Sequence, residues 1–226
     1  MAAKLGGRGI VCEVQADSRL VIIAAMQEGN SQTGATASLA DGQGAYAAVA
    51  QKIKDWGEEL GFAAIGIARA DVSAAAPWLL RWLALGRHGE MDYMAKHAAL
   101  RAAPPLLLPG ALSVISARLT YWPAAANAQR VLDDADLAYV SRYALGRDYH
   151  KTVRQRLKKL ADRLSQEAAT LDLAEPFACR VFSDSAPVME TDFARQAGTT
   201  WRGKHTLSLT REGSWHFLGE IYSTLP

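Results

Sequence analysis

The residues best suited to chemistry lie in the stretch 181–205. The apolar run 176–182 predicts a buried strand, and it ends in Ser183-Asp184-Ser185, an acid between two hydroxyls. Functional sites are commonly built where strands end. A carboxyl that faces a large apolar ligand there loses hydration, which raises its pKa toward the range of a general acid. Asp184 is therefore a candidate acid, and the alternative is an Asx turn or helix cap.

Two further segments carry side chains that suit a binding pocket. Trp201, Lys204 and His205 place an aromatic plate, a cation and an imidazole within five residues. Upstream, two arginines offer rigid forks that suit bidentate recognition of anions, and two tyrosines offer flat faces. These four residues are Arg142, Tyr143, Arg147 and Tyr149. The alternative for the upstream segment is a turn at Gly146 followed by the start of a basic helix.

Alternating helices and strands must position these side chains. Apolar residues at helical spacing predict a helix from residue 45 to about 60, a second after Pro77 with Trp78 and Trp82 facing inward, and a third that ends near Leu171. Apolar, β-branched runs predict strands over 62–68 and 112–121, and the second is expected to be central because it has no interior proline. The order of elements predicts an α/β domain with a mixed sheet.

The end of the chain predicts a short helix and a hairpin. A helix that starts at Glu190 should stop at Gly198, because glycine favours the left-handed conformation that closes helices. The apolar segments 207–209 and 216–222 flank a Glu-Gly turn and predict a β-hairpin. Residues 1–44 hold a tract rich in Gly, Ser, Thr and Asn, and we expect a flexible leader there.

Composition narrows the class of protein. The net charge of +2 does not by itself indicate a nucleic-acid partner, but eight Lys or Arg against two Asp over 142–163 predict a basic helix face. The two cysteines, Cys12 and Cys179, lie far apart and support neither a disulfide framework nor a metal site. No apolar run reaches the roughly 20 residues of a membrane span. We expect a monomeric cytoplasmic protein without a signal peptide.

Three motifs occur in an order typical of one enzyme family. They are DSAP followed by a glutamate, A-x-x-A-G and W-x-G-K-H in 184–205, SRYALGRDYHK in 141–151, and GEMDYM in 89–94. Together they resemble epoxyqueuosine reductase, from about Tyr46 to the end. The resemblance implies cobalamin-dependent reduction of epoxyqueuosine to queuosine at the wobble position of tRNA, and a nitroreductase-like core similar to that of reductive dehalogenases. It places GEMDYM near the mouth of the active site.

The resemblance also implies roles for the residues above. Asp184 matches the family's proton donor, which protonates the epoxide oxygen as the C–O bond breaks. The seven aromatic and polar residues named above would shape the cobalamin and substrate pocket, with His205 as a pocket residue and not a cobalt ligand. The basic helix would track the phosphates of the tRNA anticodon loop in a salt-dependent way. Residues 45–226 would then form the cobalamin- and substrate-binding domain.

Two departures from the family pattern affect function. The family's A-G-x-G-W is Ala197-Gly198-Thr199-Thr200-Trp201 here, and Thr200 would be strained if that position needs a positive φ. The family continues into a ferredoxin-like domain with cysteine-held iron–sulfur clusters, and this chain has no such cysteine spacing. We expect that the chain alone cannot sustain turnover with a biological donor. The alternatives are a non-catalytic corrinoid-binding protein and a plain tRNA-binding module.

Overall fold

The computed structural model describes residues 35–122 and 127–226, with side chains from residue 44 onward. Helix α1, Ala35–Glu59, begins before the helix start that we expected at residue 45. Residues 35–44 of the expected leader lie within this helix. The remainder of the predicted leader, 1–34, lies outside the described residues, and the domain boundary at residue 44 stays a prediction.

A four-stranded sheet forms the centre of the fold. Its strands are β1 (Ala64–Arg69), β2 (Ser113–Thr120), β3 (Cys179–Phe182) and β6 (His216–Ser223). The order is β1-β2-β6-β3, and every neighbouring pair is antiparallel, so the expected mixed sheet is wrong. Strand β2 is central, as predicted, and β3 lies at an edge. A separate two-stranded sheet pairs β4 (Trp201–Arg202) with β5 (Ser208–Leu209).

Helices cover both faces of the sheet. After α1 they are α2 (Ala76–Ala84), α3 (Asp92–Lys96), α4 (Ala98–Ala102), α5 (Ala128–Leu132), α6 (Tyr149–Ala168) and α7 (Glu190–Gln196), with 3₁₀ turns at Pro104–Leu106 and Arg142–Ala144. Among the described residues, no helix combines the length and the apolar character that crossing a membrane requires.

The predicted apolar stripe of α6 is confirmed. Its members Val153, Leu157, Leu160, Leu164 and Ala168 are all buried. They pack with α1 against the sheet face that carries Ile115 and Ile221. Burial of each leucine in such a core contributes about 2 kcal/mol of stability. Together the buried side chains hold α6 firmly on the sheet, which fixes the start of α6 relative to the end of β3. That placement matters because the candidate acid follows β3.

Helix α7 covers the opposite face of the sheet. Gly66, Ser116, Glu220 and Phe182 lie directly opposite one another on successive strands, so they form one row on one face. A Cβ atom on Gly66 would lie 2.3 Å from the carbonyl oxygen of Ala197, so this row packs directly against the end of α7. The helix ends as predicted, with Gly198 at φ +71°.

The close approach at Gly66 gives a test of this packing. We expect Gly66→Ala to lower the free energy of unfolding by about 1–3 kcal/mol, because the added methyl would overlap backbone and not a flexible side chain. Urea unfolding followed by circular dichroism measures the change. The matched control is Gly44→Ala in α1, where no atom lies within 4 Å of the added Cβ and helix propensity should raise stability slightly. Equal stability of the Gly66 variant and the wild type would contradict the described packing.

Two local predictions are wrong. The segment 207–209 pairs with β4 and not with β6, which pairs with β2 along its whole length and with β3 from Glu220 to Ser223. Only an isolated bridge between Thr210 and Gly213 closes the turn before β6. In α2, Trp78 does not face inward, since 70% of it is exposed. The reason for its exposure is a large cavity beside that helix.

Candidate active site

A cavity of about 1480 Å³ lies between α2, the α3–α4 segment and the chain from Asp184 to Arg195. Its apolar walls include Trp78, Leu79, Trp82, Leu85, Val188 and Met189. Its basic groups are Arg81, Arg87, His97, Arg101, Arg195 and Arg202, and its acids are Asp184, Glu190 and Asp192. Flat apolar walls with an excess of cations suit a large ligand that has a planar body and anionic or amide-bearing arms.

Asp184 stands at the rim of this cavity, just after β3. Its backbone has φ +50°, in the left-handed region that aspartate enters more readily than most residues. The preceding Ser183 is buried, and the Asp184 side chain is 47% exposed. The turn therefore anchors the backbone in the core and turns the carboxyl outward. Backbone conformations of this kind cluster at functional sites.

The start of α6 holds the Asp184 carboxyl. The Tyr149 hydroxyl donates a hydrogen bond to Oδ2, and Nε2 of His150 lies 2.7 Å from the same oxygen. Burial, and then the hydrogen bond to Asp184, raise the pKa of Tyr149, so this hydroxyl stays a donor. Tyr149 is itself fixed by stacking on Phe217 with ring centroids 4.0 Å apart. Asp184 is thus oriented by two side chains on a rigid helix.

His150 bridges two carboxylates. Its Nδ1 lies 3.0 Å from Oδ1 of Asp148, and the same oxygen accepts a hydrogen bond from the His150 backbone amide, which caps α6. The hydrogen bond to the His150 side chain is the main cause that lowers the pKa of Asp148. A carboxylate bound to one ring nitrogen of a histidine fixes the orientation of the ring, and thereby the direction in which the other ring nitrogen points. The helix cap therefore also orients the group that holds Asp184.

Two acids lie close to Asp184: Glu190, which is half-buried with a buried Oε1, and the wholly buried Glu220. Burial, and then the charge of Asp184, raise the pKa of Glu190 to about 8, although a hydrogen bond from the Asp184 backbone and the Arg101 guanidinium act in the opposite direction. Glu220 in β6 is completely buried, and burial followed by the charge of Glu190 raises its pKa well above the usual range. Burial, and then the charges of Glu220 and Glu190, raise the pKa of Tyr222. This part of the site therefore favours protonated carboxyls at neutral pH.

Most of the chain is similar in sequence to known proteins of one kind. The family model "Epoxyqueuosine reductase QueG, DUF1730" matches residues 101–185. The epoxyqueuosine reductase of Vibrio cholerae is 50% identical over 182 residues, which cover 80% of this chain and 48% of that protein. The enzyme of that name from Escherichia coli K12 is 51% identical over 179 residues, covering 79% of this chain and 46% of that protein. Over these residues the chain is similar to epoxyqueuosine reductases.

Solved structures agree at the level of the fold. Epoxyqueuosine reductase from Streptococcus thermophilus superposes with a TM-score of 0.62 at 24% identity, over 77% of this chain and 45% of that one. A second neighbour, with a TM-score of 0.61 and 24% identity over 78% of this chain and 45% of that one, is an epoxyqueuosine reductase with an epoxyqueuosine-modified tRNA-Tyr stem loop. The chain spans about half the length of the curated relatives it matches.

The predicted site residues fall into two groups around the reductase-like cavity. Asp184 lines the cavity, and Tyr149 contacts its carboxyl. Arg142 lies over the ring of Trp122 at 4.4 Å, and Tyr143 meets Tyr149 edge-on at 6.2 Å. Arg142, Tyr143 and the exposed Arg147 do not line the cavity. The upstream motif is therefore joined to the acid through Tyr149.

The other three predicted residues lie on the β4–β5 hairpin of this reductase-like domain. Trp201, Lys204 and His205 are exposed, and their neighbour Arg202 is the hairpin residue that reaches the cavity. His205 Nδ1 accepts a hydrogen bond from the Leu207 backbone amide, which fixes the ring beside the turn. The pocket role of these three residues stays a prediction.

Thr200 does not carry the strain expected from the reductase pattern. It is buried, and it is not among the non-glycine residues with positive φ, which in the described part of the chain are Asp184 and Thr206. The conformational penalty that we expected at Thr200 is therefore absent.

Several site residues were given no role from sequence. Tyr93, Met94 and His97 line the cavity, in agreement with the place that the resemblance gave to GEMDYM, but the walls from α2 were assigned to the core. His150 lies in the motif SRYALGRDYHK, but it was given no functional role from sequence. Glu220 is the clearest omission, since a charged residue in the apolar run HFLGEIYS is itself an indication of a buried polar site.

Proposed function

We propose that this chain is the part of an epoxyqueuosine reductase that binds cobalamin and reduces epoxyqueuosine in the wobble position of tRNA. The observation that carries the proposal is the oriented carboxyl of Asp184 at the rim of a cavity of about 1480 Å³. The named relatives and the solved complex with an epoxyqueuosine-modified tRNA stem loop support it. The reaction would take place in the cytoplasm and draw electrons from an external donor.

The cavity fits cobalamin in size and chemistry. Ordinary ligand sites enclose roughly 300–1,000 Å³, and this cavity is larger. Trp78, Leu79 and Trp82 offer apolar walls, and Arg81 and Arg101 offer donors. The seven pocket residues from the motifs remain our proposed outer contacts, namely Arg142, Tyr143, Arg147, Tyr149, Trp201, Lys204 and His205. Cobalamin would supply a cobalt centre that carries electrons to the substrate, in a core that we take to be nitroreductase-like.

Asp184 would supply the proton that this chemistry needs. An epoxide C–O bond breaks more easily when its oxygen is protonated as it leaves. Within the described part of the chain, the hydrogen-bonding contacts of the Asp184 carboxyl go to Oδ2, so we assign Oδ1 to the substrate oxygen. Tyr149 and His150 would hold the carboxyl and restrict its rotation. The role of α6 is then to position the acid.

The outward face of α6 would meet the tRNA backbone. Lys151, Arg154, Lys158 and Lys159 are exposed along it, whereas Arg156 and Arg163 bind the Gly61 carbonyl and Glu59. Contacts from lysine and arginine to phosphate weaken steeply as salt rises. RNA affinity that depends on these residues should therefore fall with ionic strength.

A cobalamin titration of the purified chain, followed by its visible spectrum, tests the proposal. We expect stoichiometric binding, and about tenfold weaker binding by Trp78→Ala, because truncation removes an exposed aromatic wall without opening the core. Trp215→Ala is a control of the same type, since Trp215 does not line the cavity. Salt-dependent RNA binding without any cobalamin binding would instead indicate a plain RNA-binding module.

A further inference from the structure

The proposed reaction consumes two protons, and Asp184 carries one. Conversion of an epoxide to an alkene breaks two C–O bonds and releases the oxygen as water, with two electrons from the external donor and two protons. A single carboxyl must therefore be protonated again within the turnover, or a second acid must take part. The need for a second proton rests on the proposed function, and one of the described side chains should supply it.

Glu190 lies close enough to Asp184 for their charges to interact, and it is partly shielded from solvent. It is the first residue of α7, it lines the same cavity, and its charge interacts with that of Asp184. Its Oε1 is buried and has no hydrogen-bond partner among the described residues. A buried carboxyl oxygen without a donor favours the neutral acid, and here it outweighs the hydrogen bond from the Asp184 backbone and the charge of Arg101, which favour the ionised form.

Glu220 also favours the protonated form of Glu190. It lies in the sheet row that faces α7, opposite Ser116 on β2 and Phe182 on β3. The residue is 0% exposed, and neither carboxyl oxygen has a partner within the described chain. The buried hydroxyls of Ser116 and Ser183 are also without partners there. Ionisation of two neighbouring carboxyls that are shielded from solvent costs more free energy than ionisation of one of them.

We propose that Glu190 is the second acid of the reaction, which returns a proton to Asp184, and that Glu220 keeps Glu190 protonated. Asp184 gives its proton to the epoxide oxygen as the first C–O bond breaks. Glu190 then transfers its proton to the Asp184 carboxylate, which protonates the resulting hydroxyl so that it leaves as water. Glu190 recovers a proton from solvent through the cavity after release of the product.

The charged groups around the pair are consistent with this direction of transfer. Glu190 is faced by Asp184 and by Arg101 from α4. Glu220 is faced by Glu190, with Tyr222 on its own strand and Arg118 of β2 on the same sheet face. The guanidinium of Arg118 binds Glu212 at 3.3 Å. A proton given up by Glu190 thus leaves a carboxylate near Arg101.

Infrared spectra of the ligand-free chain test the inference independently of activity. At pH 7 the wild type should show the C=O band of a protonated carboxyl, which Glu190→Gln removes or halves and Glu220→Gln diminishes. Glu58→Gln, at an exposed acid of α1, should leave the band unchanged. Absence of a protonated carboxyl in the wild type at pH 7 overturns the proposal, whether or not the variants fold.

Turnover separates this inference from the function on which it rests. With cobalamin, a chemical reductant and an epoxyqueuosine stem loop, Glu190→Gln should slow repeated turnover at least tenfold and abolish the fall in rate that the wild type shows near pH 8. Cobalamin affinity should not change. If Asp184→Asn is inactive while Glu190→Gln keeps the wild-type rate and pH profile, the second acid is not Glu190 and the proposed function stands. If the wild type itself neither binds cobalamin nor reduces the stem loop, the proposed function fails. If Asp184→Asn keeps full activity, Asp184 is not the first acid and Glu190 has no carboxylate to reprotonate, so the inference fails while the function stands.

Discussion

Asp184→Asn is expected to lower the rate of epoxyqueuosine reduction by about 10²–10⁴-fold, the usual contribution of a positioned general acid. Asparagine keeps the size of the side chain and tolerates the backbone φ of +50° at this position. It can still meet the Tyr149 hydroxyl and His150, but it has no acidic proton to give. The measurement is the initial rate of queuosine formation in a modified stem loop, with bound cobalamin and a chemical reductant.

Two controls make the Asp184 result specific. The variant should bind cobalamin and the stem loop with nearly wild-type affinity, because asparagine keeps the size and the hydrogen-bonding oxygen of the side chain that lines the rim of the cavity. Asp172→Asn, at an exposed acid that does not line the cavity, should keep the wild-type rate. A rate for Asp184→Asn within threefold of wild type would remove the carboxyl from the mechanism. The proton would then have to come from Tyr149 or His150.

The predictable parts of the fold are those set by local pattern. The stripe of α6, the end of α7 at Gly198 and the strand over 113–120 follow from spacing and from single residues, and all are confirmed. Asp184 could also be singled out, because an acid after an apolar run has a recognisable local context. None of these predictions needed to know which elements meet in space.

The parts that failed depend on long-range packing. Pairing of β5 with β4 was not visible, because an apolar run does not reveal that β6 already has a partner on each side. Trp78 lies on an apolar helical stripe, and a stripe that lines a cavity is the same in sequence as one that packs on a core. The pair of Glu190 and Glu220 joins a helix start to a distant strand. Only the tertiary structure brings them together.

The same pair should control how stability depends on pH. The pKa of Glu190 is raised from 4.5 to about 8, and that of Glu220 is also raised, both mainly by burial. Between pH 5 and 8 the folded chain therefore holds protons that the unfolded chain has released. Each such proton lowers the free energy of unfolding by about 1.4 kcal/mol per pH unit as pH rises. The stabilising effect is present below the unfolded pKa and is lost as pH passes through the folded one.

Replacement of either acid by glutamine should remove the part of the pH dependence of the free energy of unfolding that this acid causes. We expect Glu220→Gln to be close to the wild type in stability at pH 5 and more stable than it by up to about 4 kcal/mol at pH 8, since a neutral amide carries no buried charge. Urea unfolding at half-unit pH steps measures both curves, with Glu58→Gln as the control that should run parallel to the wild type. A Glu220→Gln curve that also runs parallel would mean that Glu220 is ionised in the folded chain, and a donor would then have to reach its carboxylate.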